Sequence, residues 1–180
     1  MSFMKTYEKK ALFLDRDGVI NEDFGYVFKI EDFKFIDGIF ELLKEFKKRD
    51  FLIIIITNQS GIQRGYYTTK DFEILTDYMK DEFKKRDIDI DKVYFCPHLS
   101  GCECRKPNPG MILAARDELG IDLSKSYLIG DKLSDIEAGK NAGVKNLFLL
   151  NRDENSTNGD FHCINELKEM VNYIRKKDEK

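Results

Sequence analysis

The chain of 180 residues carries a formal net charge of -3, and 42% of its residues are hydrophobic. A chain of this length buries roughly 70% of the surface that its unfolded form exposes, so we expect one domain over residues 1–180 with its own core. The weak negative charge excludes a general attraction to nucleic acid or to an anionic membrane, and it favours a small substrate held by local charged groups.

Short runs of apolar and β-branched side chains predict five strands. In chain order they are residues 11–14, 51–56, 93–95, 127–129 and 144–150. Segments with apolar residues at helical spacing alternate with them. These segments predict five helices, which start at about Gly38, Thr68, Pro109, Ser134 and Ile164. Strands that alternate with helices favour right-handed crossovers, so we predict an α/β fold with a three-layer, Rossmann-like parallel sheet flanked by helices.

Local signals mark some of the ends of these elements. Thr68-x-x-Asp71 has the spacing of a capping box, so the second helix is predicted to begin there. Ser134-x-x-Glu137 predicts a similar cap for the fourth helix. The polar stretch 151–160 predicts a surface loop rather than a linker between domains.

Two carboxylates follow the first predicted strand where it ends, in Asp15-Arg16-Asp17-Gly18. Ligands bind outside the carboxyl ends of the strands in open α/β sheets, so acids placed there face a pocket and can share a cation. An ordinary turn is the alternative for an isolated motif of this kind, since Asp and Gly are common turn residues.

Other polar side chains end the second and fourth predicted strands. Thr57 and Asn58 follow the second strand, and Gly130-Asp131 follows the fourth. Because parallel strands end at one edge, Asp131 should approach Asp15, and the two carboxylates could hold a hard cation such as Mg²⁺. Taken alone, Asp131 could equally be a helix cap or a turn residue.

Together these residues resemble the haloacid dehalogenase (HAD) superfamily of phosphatases. Its motifs occur here in the family's order, within residues 11–150, as Asp15-Arg16-Asp17-Gly18, Thr57, Lys106 and Gly130-Asp131-x-x-x-Asp135. The resemblance implies a HAD-like sheet. Residues 21–37 are too short for the separate cap domain that many relatives insert there.

The resemblance also implies catalytic roles. Asp15 is expected to be the nucleophile that forms an aspartyl-phosphate, and Asp17 the general acid and then base. Asp17 must then begin with a proton, which a close negative neighbour would favour. Thr57 is expected to donate its hydroxyl to the transferring phosphoryl group, and Lys106 to balance charge between that group and the nucleophile.

A catalytic Mg²⁺ is implied by the same resemblance. Its expected ligands are Asp15, the main-chain carbonyl of Asp17, and Asp131. Asp135 is expected to support these ligands without binding the metal directly.

Three of the four cysteines and one of the two histidines lie within nine residues. They are Cys96, His98, Cys102 and Cys104. A Cys₃His set fills a tetrahedron, so we predict a structural Zn²⁺ that fixes the loop before Arg105-Lys106-Pro107. Unligated thiols or a redox pair are the alternatives. His162 and Cys163 are expected to lie apart from this set.

The Cys-x-His and Cys-x-Cys-Arg-Lys-Pro motifs resemble the branch of the superfamily that contains heptose-bisphosphate and histidinol-phosphate phosphatases. Residues 57–65 resemble the heptose enzymes more. The resemblance implies a phosphatase that removes the C7 phosphate of a heptose 1,7-bisphosphate, for lipopolysaccharide or nucleotide-heptose biosynthesis. A histidinol-phosphate phosphatase and a catalytically silent zinc-containing binding module are the alternatives.

Three further residues are expected to bind the substrate. Arg105 can grip a second phosphate with its guanidinium fork, although a simple surface charge is the alternative. By resemblance, Asn58 and Lys132 are expected to contact sugar hydroxyls or phosphate. The predicted partner is therefore a small phosphorylated sugar.

No apolar stretch approaches the roughly 20 residues that span a bilayer, and residues 1–5 lack the apolar core of a signal peptide. We therefore expect a cytoplasmic monomer with no membrane partner. In that reducing compartment the four cysteines are expected to be thiols or metal ligands rather than disulfides.

Overall fold

The structure is a computed structural model that describes residues 6–151 and 160–178. The first five residues and most of the predicted loop at 151–160 lie outside this range. In chain order the elements are β1 (Lys10–Leu14), α1 (Ile39–Lys47), β2 (Phe51–Asn58), α2 (Thr69–Lys84), β3 (Lys92–Cys96), α3 (Gly110–Leu119), β4 (Tyr127–Gly130), α4 (Leu133–Ala142), β5 (Asn146–Leu150), β6 (His162–Ile164) and α5 (Leu167–Asp178). Short 3₁₀ helices occupy Ile30–Asp32 and Leu123–Lys125.

The strands form one sheet in the order β3-β2-β1-β4-β5-β6, and every neighbouring pair is parallel. This confirms the predicted α/β class. From β1 the chain builds outward to β3 on one side, then crosses to β4 and builds outward on the other. The strand order therefore reverses between β1 and β4, and a crevice forms outside such a switch point.

Helices cover both faces of the sheet, as the apolar run in β2 predicts. Alternate residues of a strand point to opposite faces. Leu12 and Ile53 pack with α1, α2 and α5 in one buried cluster, whereas Phe13 and Ile54 pack with α3 and α4 in another. The three-layer arrangement is thus confirmed, and two cores hold the strand ends of the central sheet in place.

The predicted capping box at the start of α2 is confirmed, because Thr68 Oγ1 accepts from the Asp71 N–H and Asp71 accepts from the Thr68 N–H. The predicted cap at Ser134 is wrong. Helix α4 begins at Leu133 with Lys132 as its N-cap residue. The reason is that the Asp135 carboxylate accepts from the Lys132 N–H at 3.1 Å, which places the N-cap two residues earlier.

The sequence also failed to predict β6, since Ile164 was assigned to the last helix. Residues 162–164 instead pair with β5, in register Phe148↔His162 and Leu150↔Ile164. Helix α5 therefore begins at Leu167. Ile164 and Leu167 have the spacing of a helix, but the pairing of residues 162–164 with β5 overrides this local signal.

Between β1 and α1 the chain makes bridges such as Asp17↔Asn21 and Asn21↔Phe35, together with a 3₁₀ turn. The residues between β1 and α1, all of which the structure describes, form no separate cap domain, and this segment borders the crevice directly. Within the described ranges, no helix combines the length and the apolar character needed to cross a membrane.

Candidate active site and metal sites

A cleft of about 500 Å³ opens at the carboxyl ends of the central strands. It is lined by seven of the residues that the sequence analysis assigned to the site, namely Asp15, Asp17, Asn58, Arg105, Lys106, Lys132 and Asp135. Thr57 is buried at the end of β2. The structure therefore brings together side chains from the ends of several strands, as a parallel sheet requires.

Asp15 lies just beyond β1, where its N–H donates to Ile129 O of β4. Lys106 Nζ donates to Asp15 Oδ1 at 2.9 Å and to Ile56 O at 2.8 Å. Burial raises the pKa of Asp15 to about 8, although the nearby Lys106 ammonium opposes the rise. An acid in this environment needs a further cation, in addition to Lys106, to be fully ionised at neutral pH.

Lys106 also contacts Asp135, with 2.6 Å between Nζ and Oδ1. Burial acts to lower the pKa of Lys106, but the carboxylates of Asp135 and Asp15 outweigh it and raise that pKa. Both oxygens of Asp135 are engaged, because Oδ2 accepts from the Lys132 N–H. This arrangement is compatible with a role for Asp135 in holding Lys106 and the start of α4.

Asp131 supplies an observation that favours a cation. Its Oδ1 is buried and has no hydrogen-bond partner among the described residues. Carboxylate oxygens of Asp15, Asp131 and Asp135 lie within 4.8 Å of one another. Burial, followed by the charge of Asp135, keeps the pKa of Asp131 raised, at about 6. An orphaned oxygen among crowded carboxylates fits a hard divalent ion such as Mg²⁺.

Gly18 makes the position of Asp131 possible. Its φ is +92°, a conformation that favours glycine, and a Cβ at this position would overlap the Asp131 carboxylate. The glycine that follows the two aspartates therefore lets the acid of β4 approach the end of β1.

Asp17 is surrounded by donors. Its carboxylate accepts from Arg16 Nη2 at 2.9 Å, Asn21 Nδ2 at 3.0 Å and Gln59 Nε2 at 3.0 Å. These contacts hold the Asp17 carboxylate in a fixed orientation at the cleft. The proton that the sequence analysis expects on Asp17 stays a prediction.

Asn58 holds the main chain of Lys106. Its Nδ2 donates to Lys106 O, and its Oδ1 accepts from the Lys106 N–H, both at 3.1 Å. The side chain lines the cleft, but its amide is engaged in fixing the lysine. Contact between Asn58 and a substrate stays a prediction.

Two cations stand nearer the opening of the cleft. Arg105 donates to His98 O at 3.1 Å, and Lys132 Nζ lies 3.4 Å from Asp23 Oδ2. Burial acts to lower the pKa of Lys132, but Asp131 and Asp23 outweigh it and raise that pKa. Both side chains can therefore offer positive charge to an anionic ligand at neutral pH.

The four predicted zinc ligands converge. The three Sγ atoms of Cys96, Cys102 and Cys104 are 2.8–3.5 Å apart, and His98 Nδ1 lies 3.4 Å from Cys104 Sγ and 3.6 Å from Cys96 Sγ. Tetrahedral Zn²⁺ with Zn–S bonds of about 2.3 Å places its sulfurs roughly 3.8 Å apart. The donor set and its compactness fit zinc, so this cluster can hold the ion.

The zinc loop joins the cleft through the chain itself. Cys96 ends β3, and Cys104 is followed directly by Arg105 and Lys106. On the other side, the Gly110 N–H at the start of α3 donates to Glu103 O at 3.0 Å. A Cβ on Gly110 would overlap this carbonyl, so the glycine lets α3 pack against the loop.

His162 and Cys163 lie on β6, apart from the four ligands, as expected. The His162 ring stacks on Phe148 with 4.8 Å between centroids. Neither residue belongs to the clusters that could hold a metal within the described residues.

Four side chains that support the site were missed from the sequence, namely Arg16, Asn21, Gln59 and Tyr67. Gln59 follows Thr57 by two residues, so an extended chain points both side chains the same way, and this spacing could have indicated it. Arg16 stands between Asp15 and Asp17, at a position to which the motif assigns no role. Asn21 and Tyr67 carry no local signal.

The parallel sheet carries these acids, a buried lysine and a threonine at the carboxyl ends of its central strands. This combination defines a hydrolase of the HAD type. Residues 103–160 match the family model described as HAD-hydrolase-like. The chain is 57% identical to the D-glycero-alpha-D-manno-heptose-1,7-bisphosphate 7-phosphatase of Campylobacter jejuni, over 97% of this chain and 99% of that protein.

A second relative, from Helicobacter pylori strain J99, is 51% identical over 92% of this chain and 97% of its own length; its name specifies the beta anomer. The crystal structure of a D,D-heptose 1,7-bisphosphate phosphatase from B. bronchiseptica, complexed with magnesium and phosphate, has a TM-score of 0.84 and 26% identity. The match covers 93% of this chain and 99% of the B. bronchiseptica chain. The chain therefore belongs to the HAD-like hydrolases, in the family of heptose-1,7-bisphosphate 7-phosphatases.

Proposed function

We propose that this protein is a Mg²⁺-dependent phosphatase that removes the C7 phosphate of D-glycero-D-manno-heptose 1,7-bisphosphate. One observation carries the proposal. Asp15 follows β1 in a buried position, Lys106 is 2.9 Å from its carboxylate, and the unpartnered oxygen of Asp131 lies close by. This arrangement supplies a nucleophile, a charge-balancing cation and a metal position in one cleft.

The relatives support the choice of substrate. The proteins from C. jejuni and H. pylori are named for this reaction, one on the alpha and the other on the beta anomer. The B. bronchiseptica structure contains magnesium and phosphate. We therefore extend the heptose bisphosphate to this chain and treat the anomer as a matter for experiment.

In the first half of the reaction, a carboxylate oxygen of Asp15 attacks phosphorus and the bond between phosphorus and the sugar oxygen breaks. Asp17, in its protonated form, gives its proton to that leaving oxygen. Lys106 balances the charge of the nucleophile as the phosphate dianion approaches. Thr57 donates its hydroxyl to the phosphoryl group in transfer.

In the second half, Asp17 is a carboxylate and takes a proton from water. The water oxygen attacks phosphorus, the bond to Asp15 breaks, and inorganic phosphate leaves. The donors around Asp17 keep its carboxylate in the cleft for this step. Splitting the reaction in this way replaces one difficult displacement with two easier ones.

Asp15, Asp131 and the main-chain carbonyl of Asp17 would hold Mg²⁺. When bound, Mg²⁺ offsets the repulsion between the phosphate and the carboxylates. Cys96, His98, Cys102 and Cys104 would hold a structural Zn²⁺. A closed Cys₃His shell leaves no position for a reacting water, so zinc would fix the loop that carries Arg105 and Lys106.

Arg105 and Lys132 are proposed to bind the phosphate that is not transferred. They line the same cleft, are more exposed than the buried pair Asp15 and Lys106, and carry positive charge. A small phosphorylated sugar with phosphates at both ends can reach Asp15 with one of them and these cations with the other. Asn58 is proposed to contact the sugar at the same wall.

We also propose that the protein acts as a monomer in the cytoplasm. The zinc ligands require thiolates, which a reducing compartment preserves.

The test measures phosphate release with Mg²⁺ from both anomers of the heptose bisphosphate and from histidinol phosphate. We expect release from a heptose bisphosphate, with no detectable release by Asp15→Asn, whose melting temperature should match that of the unchanged protein. Preference for histidinol phosphate would overturn the substrate. No release from a broad panel of phosphoesters would indicate a binding module instead.

A further inference from the structure

The side chain of Gln59 bridges two predicted catalytic groups. It is 2% exposed, and its Nε2 lies 2.8 Å from Thr57 Oγ1 and 3.0 Å from Asp17 Oδ2. Its Oε1 accepts a hydrogen bond from the Tyr67 hydroxyl. One buried amide therefore connects a threonine at the end of β2 with the acid that follows β1.

The direction of these hydrogen bonds follows from the acceptors. A carboxylate only accepts, so the amide atom facing Asp17 must be the nitrogen. The second N–H of that nitrogen then points to Thr57 Oγ1, and the amide oxygen points to Tyr67. Burial raises the pKa of Tyr67 to about 12, so its hydroxyl keeps the proton that it donates.

The consequence concerns the hydroxyl of Thr57. This group has one hydrogen to donate, and Gln59 occupies one of its lone pairs from the protein side. Within residues 6–151 and 160–178 no hydrogen bond takes up that hydrogen. It therefore remains available for an acceptor in the cleft, such as a phosphoryl oxygen.

We propose that Gln59, fixed by Tyr67, is a positioning residue that orients the Thr57 hydroxyl as a donor and holds Asp17 beside the leaving group. The inference rests on the proposed phosphatase function and deepens it. A donor already aimed at the place where charge develops needs no reorganisation during the reaction.

The loop after β2 is built to hold Tyr67 in place. Tyr67 is 5% exposed and stacks on Phe28 with 5.1 Å between ring centroids. The ring also lies against Gly61, where a Cβ would overlap it. The hydroxyl of Tyr67 is thus held in contact with the Gln59 amide by packing from two sides.

The test compares Gln59→Glu, Gln59→Leu and Tyr67→Phe on the heptose bisphosphate and on p-nitrophenyl phosphate. Gln59→Glu keeps the shape of the side chain but replaces the donor with an acceptor. We expect kcat to fall about 10- to 100-fold in both Gln59 variants, with KM changed less than about threefold, because the interaction strengthens in the transition state. Tyr67→Phe should lower kcat about 2- to 10-fold.

The two substrates separate the two roles. The alkoxide of a sugar needs a proton as it leaves, whereas p-nitrophenolate leaves without one. The loss in the Gln59 variants should therefore be greater on the sugar bisphosphate. On p-nitrophenyl phosphate, Gln59→Leu should lower kcat less when added to Thr57→Val than when made alone, because only the part of its role that acts through Asp17 then remains.

Gln63→Leu is the matched control, because Gln63 is exposed and its amide accepts from the Leu99 N–H instead. It should keep kcat within about twofold. Thermal melting followed by circular dichroism verifies that every variant is folded. An unchanged protein that releases no phosphate would overturn the proposed function. If the unchanged protein is active and its Gln59→Glu variant keeps its kcat, or differs from it only by a higher KM, the positioning role would be overturned.

Discussion

Lys106 donates from its ammonium group to Asp15 Oδ1 over 2.9 Å, although the two residues are 91 positions apart in the chain. Their side chains are 3% and 9% exposed. The lysine is further fixed by Ile56 O and by Asp135. A buried ion pair of this kind contributes little net stability when complete, but removal of one partner leaves an uncompensated charge in the interior.

Lys106→Met should therefore lower the free energy of unfolding by about 3 kcal/mol and lower phosphate release at least 100-fold. Urea unfolding at pH 7 measures the first effect. The matched control is Lys132→Met, since the Lys132 side chain is 61% exposed and its removal should change stability by less than about 0.5 kcal/mol. Equal stability of the two variants would contradict a buried, charge-balancing role for Lys106.

Gly18→Ala should weaken Mg²⁺ binding about tenfold or more and lower activity in proportion at limiting Mg²⁺. The added Cβ would displace the Asp131 carboxylate, and the φ of +92° adds backbone strain. Gly65→Ala is the matched control, because Gly65 also has a positive φ, of +76°, but a Cβ there meets nothing within 4 Å. Titration of activity with Mg²⁺ separates the two variants. A similar loss of Mg²⁺ affinity in Gly65→Ala would show that strain, and not the overlap, is the cause.

Cys104→Ser should remove zinc from the protein, lower its melting temperature and reduce phosphate release, since the loop that carries Arg105 and Lys106 loses its anchor. Metal content by mass spectrometry and thermal melting measure the effect. Cys163→Ser is the control, because Cys163 lies on β6 outside the ligand cluster. If purified Cys104→Ser retains one zinc per chain, the ligand assignment is wrong.

Glu45 predicts a change of stability with pH. Its buried carboxylate accepts from Arg175 at 2.8 Å and from Arg49 at 2.7 Å, and these two guanidinium groups, with Arg175 the stronger, lower the pKa of Glu45 to about 2. Its ordinary value is 4.5. The carboxylate therefore stabilises the fold fully above about pH 4.5, and this contribution is lost as pH falls toward 2.

Glu45→Gln should lower stability by about 1–2 kcal/mol at pH 7, after allowance for screening at the partly exposed Arg175. The gap to the unchanged protein should stay constant between pH 5 and 7 and narrow below about pH 4.5. Chemical denaturation across this range provides the measurement. Glu41→Gln is the control, since Glu41 also contacts Arg175 but is 46% exposed. A gap that widens on acidification would contradict the assignment.

Much of the site could be predicted because its motifs stand at strand ends. Asp15, Thr57 and Asp131 each follow an apolar run, and parallel strands bring such positions to one edge. The zinc ligands could be predicted from their closeness in the sequence alone. Such local patterns predict the site well because formation of the sheet brings the strand ends together and does not change which residues stand at them.

The errors arose where contacts that the apolar pattern does not encode decide the structure. Strand β6 has three residues, and only its pairing with β5 makes it a strand. The start of α4 depends on the Asp135 carboxylate reaching the Lys132 N–H. The donors around Asp17 include Asn21 and Gln59. The loops that contain these residues set the directions of their side chains, and the sequence does not reveal the course of those loops.

The position of β1 between β2 and β4 also has a consequence for folding. Asp15 and Asp131 come together only after the edge of β1 has found β4, which lies far along the chain, so the cleft depends on one of the most distant contacts in the sheet. Contacts of such high order form slowly, because the long intervening loop must first be closed. Recovery of enzymatic turnover during refolding therefore requires that this contact has formed, whereas circular dichroism reports helix content.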